Sequence, residues 1–161
     1  MARAVPKTAL RPYLPADAPV LAAIFEASVA ELTAEDYTEA QRTAWAEAAE
    51  DVAAFGAELA RDLTLVATLE GSPAAFASLR GKDTIRMLYV HPAAAGHGLA
   101  ASLIDALEKL AAARGAKRLA VEASDTAEGF FAGRGYVART RITVPRGDEW
   151  LGRTRMEKAL A

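Results

Sequence analysis

Residues 63–90 constrain the fold more than any other stretch. Leu63–Leu69 is rich in β-formers, and Glu70-Gly71-Ser72-Pro73 breaks it. Ala74–Leu79 resumes the pattern, Arg80-Gly81-Lys82-Asp83 breaks it again, and Ile85–Val90 follows. Strands joined by such tight turns pair antiparallel, because a parallel pair needs a crossover of about a dozen residues or more. The stretch therefore predicts an antiparallel meander.

Helical sequence lies on both sides of it. Thr8–Leu10 reads as a first strand, with its exit at Arg11–Leu14. Pro15-Ala16-Asp17 opens a helix with Val20, Leu21, Ile24, Phe25 and Val29 at helical spacing. A second helical stretch starts near Thr38 and carries Trp45. A third begins at Asp51, with Phe55 and Leu59 on one face. Downstream, Leu99, Leu103, Ala106, Leu110 and Ala113 recur at steps of three and four, and Arg114-Gly115 is a stop signal. Leu119–Ala123 reads as a strand, and Ser124-Asp125-Thr126 offers N-caps for a short helix to about Ala132. Val137–Val144 and Leu151–Lys158 close the chain as a strand pair across the turn Pro145-Arg146-Gly147-Asp148. This order predicts an α/β (α+β) fold, a mixed sheet of about six to seven strands flanked by helices. No repeat or linker divides residues 1–161, so one domain is expected.

The loop between the meander and the long helix, "YVHPAAAGHGLA", is nearly stripped of side chains. A helix N-terminus carries amides without intrahelical partners and a partial positive charge. Small residues let a phosphate approach that backbone. The same residues also suit a plain turn, where glycine supplies positive φ. A Walker-type loop is excluded, because no lysine and hydroxyl residue follow the glycines in register, and G-x-G-x-x-G is incomplete.

Composition narrows the function. A formal net charge of −2 argues against a nucleic-acid binder. With no cysteine and only His91 and His97, no metal site is expected. No stretch approaches the roughly 20 apolar residues of a membrane helix, and no signal pattern opens the chain, so a cytoplasmic location is expected.

The strand, V-x-P, loop and G-x-G-L-A array, followed by an amphipathic helix, resembles the acetyl-CoA-binding motif of the GNAT N-acetyltransferase superfamily. "LRPYLPADAPVLAAIF", "VEASDTAEGFFAGRGYV" and "TRMEKAL" resemble its first strand and helix, its late strand and short helix, and its last strand. "EDYTEAQRTAWA", "LYVHP", "FFAGRGY" and the terminal "MEK" are similar to a bacterial subgroup of that superfamily. The resemblance implies an enzyme transferring acetyl from acetyl-CoA to a primary amine, of a small molecule or a peptide. It implies that Leu88, Tyr89 and Val90 bind the cofactor's arm. It gives the pyrophosphate to the backbone of Gly96, His97, Gly98, Leu99, Ala100 and Ala101. It places Ser124 and Phe131 beside the arm and thiol. The segment holding Asp36, Tyr37, Gln41 and Trp45 corresponds to a lid over the acceptor. A homodimer through the last strands is a superfamily option. Two positions depart from the motif: Ala95 stands where Gln or Arg is usual, and Phe131 where many relatives place a proton-donating tyrosine. These departures favour an alternative, a non-catalytic acyl-CoA sensor on the same fold.

Strand alternation supplies the candidate catalytic residues. Leu119, Val121 and Ala123 share one face, so Glu122 and Ser124 share the other. Glu122 is the candidate general base, against a solvated or ion-paired carboxylate. Tyr89 is a candidate to orient substrate or act as acid, against core packing. His91 and His97 are expected to be neither base nor ligand, with His97 facing solvent or donating to a phosphate oxygen, and Tyr136 to be a core aromatic.

Overall fold

The computed structural model describes residues 5–160. Its strands are β1 (Thr8–Pro12), β2 (Leu63–Leu69), β3 (Ser72–Arg80), β4 (Thr84–Val90), β5 (Arg118–Ser124), β6 (Val137–Arg146) and β7 (Glu149–Ala159). Its helices are α1 (Ala18–Leu32), α2 (Glu39–Ala46), α3 (Val52–Arg61), α4 (Leu99–Ala113) and α5 (Glu128–Gly133). The strands form one seven-stranded sheet in the order β1-β2-β3-β4-β5-β7-β6. The expected meander is present: β2 pairs β3 and β3 pairs β4, both antiparallel. Only β4 and β5 run parallel, which is what the crossover through α4 requires.

Local chemistry sets the helix starts. Asp17, in a 3-10 turn before α1, accepts from both terminal nitrogens of Arg11 (2.7 and 2.8 Å) and from the Leu14 amide (2.8 Å). This holds its carboxyl below the usual range, the Arg11 bond being the largest cause. Thr38 and Gln41 exchange bonds as a capping box at α2, and Asp51 caps α3 by accepting from Ala54. Gly56 lets α3 lie close to α1: a Cβ there would sit 2.9 Å from that of Ala18.

Two cores sandwich the sheet. On one side α4 and α5 cover an aliphatic cluster including Leu79, Leu103, Ile104, Leu107 and Leu119. On the other, α1, α2 and α3 cover Leu21, Phe25, Trp45, Phe55, Leu59 and Phe76. Two readings need correction. The buried face of α4 is Leu99, Leu103, Ile104, Leu107 and Ala111, whereas Leu110 is only partly buried and Ala113 is exposed. The stripe Leu99, Leu103, Leu107 and Ala111 advances in steps of four, along one of the ridges a helix offers to its neighbours, where alternating steps of three and four were expected. In α1, Leu21, Ile24, Phe25 and Val29 are buried, but Val20 faces solvent. The closing hairpin is also tighter than its sequence suggests. Arg146 pairs with Glu149 within the strands, leaving Gly147-Asp148 as the turn. A two-residue loop matches strand twist, and Gly147 supplies the positive φ of 55°.

Candidate active site

β4 and β5 touch only at their beginnings. Their register holds Thr84 opposite Ala120 and Ile85 opposite Val121, and then the strands part. β4 stays paired to β3 through Val90, and β5 to β7 through Ser124. The His91 amide donates to Ala74 (2.8 Å), which turns it toward β3. Strand alternation then turns Tyr89 the same way and points the amides and carbonyls of Leu88 and Val90 into the gap.

Two hollows meet at this gap. A recess of about 50 Å³ is lined by Leu88, Ala123, Ser124, Ala127 and Phe131 among others. A cleft of about 520 Å³ opens toward Thr84 and Ala120, roofed by Trp45 and Ala48 and flanked by Arg146 and Arg153. Tyr89, Trp45, Glu122 and Arg153 line both.

The loop leaves β4 at its far end. Pro92–Ala94 makes a 3-10 turn capped by His91, whose Nδ1 accepts from the Ala93 amide (3.0 Å). His97 Nδ1 lies 3.0 Å from the Ala94 carbonyl, to which it donates. Gly96 and Gly98 take positive φ, 86° and 74°, and a Cβ on either would meet nothing within 4 Å. The first bond into α4 runs from the Ser102 amide to the Gly98 carbonyl. The amides of Leu99, Ala100 and Ala101 precede it, and Gly98 offers no side-chain cap. These donors lie beside open space.

Tyr89 lies on an aromatic floor, 4.6 Å from the Phe25 ring and 5.7 Å from Phe76 between centroids. The Trp45 indole donates to its hydroxyl (3.3 Å). An indole N–H can only donate, so the phenolic proton remains available to another acceptor. Burial, the largest cause, raises the Tyr89 pKa above its usual 10, so at neutral pH the group is a donor. Glu122 projects from the face of β5 opposite the buried Leu119, Val121 and Ala123, and pairs with Arg155 at 3.3 Å. Ser124 Oγ accepts from the Ala127 amide (3.1 Å). Phe131 is fully buried, stacked edge-on against Phe130 and Tyr136. Tyr136 stands apart from both hollows, its hydroxyl donating to Glu108 (2.9 Å).

The fold does not gather every candidate here. Asp36 accepts from the Thr126 hydroxyl (2.7 Å). The buried Tyr37 donates to the Gly152 carbonyl (2.6 Å) and accepts from the Asp125 amide (2.9 Å). Gln41 reaches the Trp150 carbonyl (2.8 Å). Asp36 and Tyr37 thus strap the α1–α2 segment to the sheet, and of that segment Trp45 faces both hollows. Sequence reasoning missed the arginines of the cleft: Arg80, Arg86, Arg146, Arg153 and Arg155. Alternation along "LGRTR" was the available signal for two of them, since Leu151, Arg153 and Arg155 share a strand face.

Among the described residues no helix is long and apolar enough to cross a membrane, and no group of three or more His, Cys, Asp or Glu forms a metal cluster. Residues 33–160 match the family model described as the acetyltransferase (GNAT) domain. An uncharacterized N-acetyltransferase of Escherichia coli K12, YafP, is 33% identical over 127 residues, 79% of either chain. The crystal structure of a GCN5-related N-acetyltransferase from Rhodopseudomonas palustris superposes with a TM-score of 0.94 at 59% identity, covering 99% of both chains. The structure of YncA from Salmonella typhimurium with acetyl-CoA shares the fold, with a TM-score of 0.64, 24% identity, and 96% of this chain and 94% of that one covered. With the parted β4 and β5 and the side-chain-poor loop, these matches establish that the chain belongs to the GNAT acetyltransferase family.

Proposed function

We propose that this protein transfers acetyl from acetyl-CoA to a primary amine directly, without an acyl-enzyme. The observation that carries this is the parting of β4 and β5, which opens one hollow toward the glycine loop's end of the sheet and another toward an acceptor. The acetyl-CoA of YncA supports the choice of donor. A cytoplasmic location belongs to the same reading.

The chain's own groups divide the work. Leu99, Ala100 and Ala101 offer amides to the pyrophosphate, with Gly96 and Gly98 keeping the approach clear. His97 shapes the loop through Ala94. The inward peptide groups of Leu88 and Val90 bind the arm as a strand would, with Ser124 and Phe131 walling the recess. These contacts orient the thioester, and orientation supplies much of the acceleration. The amine's new C–N bond forms as the C–S bond breaks; one proton leaves the nitrogen and one reaches the sulfur. Glu122 takes the first, directly or through one water. Tyr89 delivers the second, in the place that Phe131 cannot fill. Ala95, with only a methyl where Gln or Arg is usual, leaves the phosphate loop to backbone donors and weakens the grip.

Calorimetric titration with acetyl-CoA, with NAD as the control, followed by thiol release over an amine panel, tests this reading. Binding of acetyl-CoA with amine-dependent release is expected. Binding without release under any amine would instead favour the non-catalytic sensor. Gly98→Trp should abolish binding where Gly98→Ala, equally strained in backbone, only weakens it. Equal affinities for the two variants would remove the loop from the site. Glu122→Gln should slow turnover more than it weakens cofactor binding.

A further inference from the structure

The cleft holds more positive charge than its fold needs. Of its five arginines, three are neutralised. Arg80 bonds Glu58 (2.5 Å) and Asp62 (2.9 Å), Arg86 also bonds Asp62, and Arg155 bonds Glu122 (3.3 Å). Arg146 and Arg153 have no carboxylate within salt-bridge distance among the described residues, although both face the same hollow. Among the described residues the Arg146 guanidinium bonds only the carbonyl of its neighbour Pro145 (2.7 Å). Arg153 lies over the Trp45 ring at 5.5 Å, and its Nε is buried without a partner. Arg86 Nη2 is likewise buried and unpartnered. Burial, and then the charge of Arg153, push the Arg146 pKa down, so the two guanidinium groups repel each other in a partly desolvated place.

A protein keeps unpaired buried donors of this kind at a cost. A planar guanidinium matches a carboxylate or phosphate through two parallel bonds. The pair does not face the cosubstrate's pyrophosphate: Arg153 shares the sheet face of Leu151 and lies over Trp45, on the side of α1, α2 and α3, while the glycine loop leads into α4 on the opposite side and none of its residues lines the cleft. We propose that the acceptor is a small primary amine bearing its own carboxylate or phosphate, which Arg146 and Arg153 grip while the amine lies toward Glu122 and Tyr89. This rests on the acetyltransferase reading above. The bound anion would bridge the two guanidinium groups, and Trp45 would hold the Arg153 plane in place.

Matched amines test it. An amino acid is compared with its primary amide, and an aminoalkyl phosphonate with the corresponding amino alcohol. Acetyl transfer should show kcat/KM about tenfold or more higher for the charged member of at least one pair. The pair that responds identifies the anion. Arg153→Gln and Arg146→Gln should bring the charged-to-neutral ratio toward one, mainly through KM. Arg118→Gln, an exposed β5 cation paired with Glu157, should preserve the ratio. Equal rates for charged and neutral members, or a preference that survives both cleft variants, overturn the proposal. A second arm is independent of turnover: each amine is titrated calorimetrically into the protein saturated with CoA. Charge-selective binding that Arg153→Gln abolishes sustains the anion site even if no amine is acetylated, an outcome that would sink the transferase reading alone. Turnover of amines with no charge preference would keep the enzyme and overturn this inference. So would the absence of charge-selective binding in the calorimeter.

Discussion

The two sides of the sheet are packed for different tasks. Under α4 and α5 the core is mostly aliphatic, and beneath α4 it is closed: Leu103, Ile104, Leu107 and Leu119 have no exposed surface. Under α1, α2 and α3 the core is aromatic, and its edge opens into the cleft through Trp45 and Tyr89. Aliphatic side chains have no polar atoms to satisfy, so they suit a wall that excludes water. Rings that carry an N–H or O–H can be buried on one edge and offer hydrogen bonds on the other. The contrast teaches where this molecule keeps its stability and where it keeps its chemistry.

Leu107→Ala should break the closed side most severely. It removes a fully buried side chain and leaves a cavity, and about 3 kcal/mol of stability should be lost in denaturant unfolding. Acetyl-CoA affinity in the surviving folded protein should hardly move. A similar loss from Tyr89→Phe, at the cleft edge of the other side, would erase the distinction.

Tyr89→Phe should do the reverse. The phenylalanine keeps the ring against Phe25 and Phe76, so the melting temperature should change little. Loss of the donor should lower kcat by about 100-fold, the scale of acid catalysis, with a smaller change in KM. Because burial raises the Tyr89 pKa above 10, a wild-type rate that depends on its proton should not fall with this group's titration until beyond pH 10. An alkaline limb well below pH 10 that Tyr89→Phe removes would contradict the assignment.

Tyr136→Phe is the mildest and sharpens the comparison, since it places a polar group on the closed side. Loss of its bond to Glu108 should cost about 1 kcal/mol near neutral pH, less than Leu107→Ala. Burial, aided by Glu108, raises its folded pKa above the usual 10. The folded state therefore holds this proton after the unfolded state has released it. The associated stability is fully present below pH 10 and declines as pH rises through the folded value. Unfolding measured between neutrality and strongly alkaline pH should fall more steeply in the wild type than in Tyr136→Phe. Parallel curves would show that Tyr136 is not the coupled group.

The sequence by itself determined the alternation of elements, because hydrophobic period and turn residues act over a few positions. The meander, the side-chain-poor loop and the inward face of β5 all follow from spacing between near neighbours. Even Glu122 could be assigned its side of the sheet, since alternation around Leu119, Val121 and Ala123 leaves no other. Contacts between distant segments were decided only by the tertiary structure. Tyr37 and Asp36 read as residues facing a substrate, yet their partners, Gly152 and Thr126, lie more than eighty residues away and tie them into the framework. Arg146 read as part of a turn, but strand twist tightened the hairpin and delivered it beside Arg153. Charge balance is likewise a property of the assembled cleft. Arg80 and Arg86 find Asp62 from another element, while Arg146 and Arg153 meet each other, and no local pattern in the chain distinguishes the two pairs.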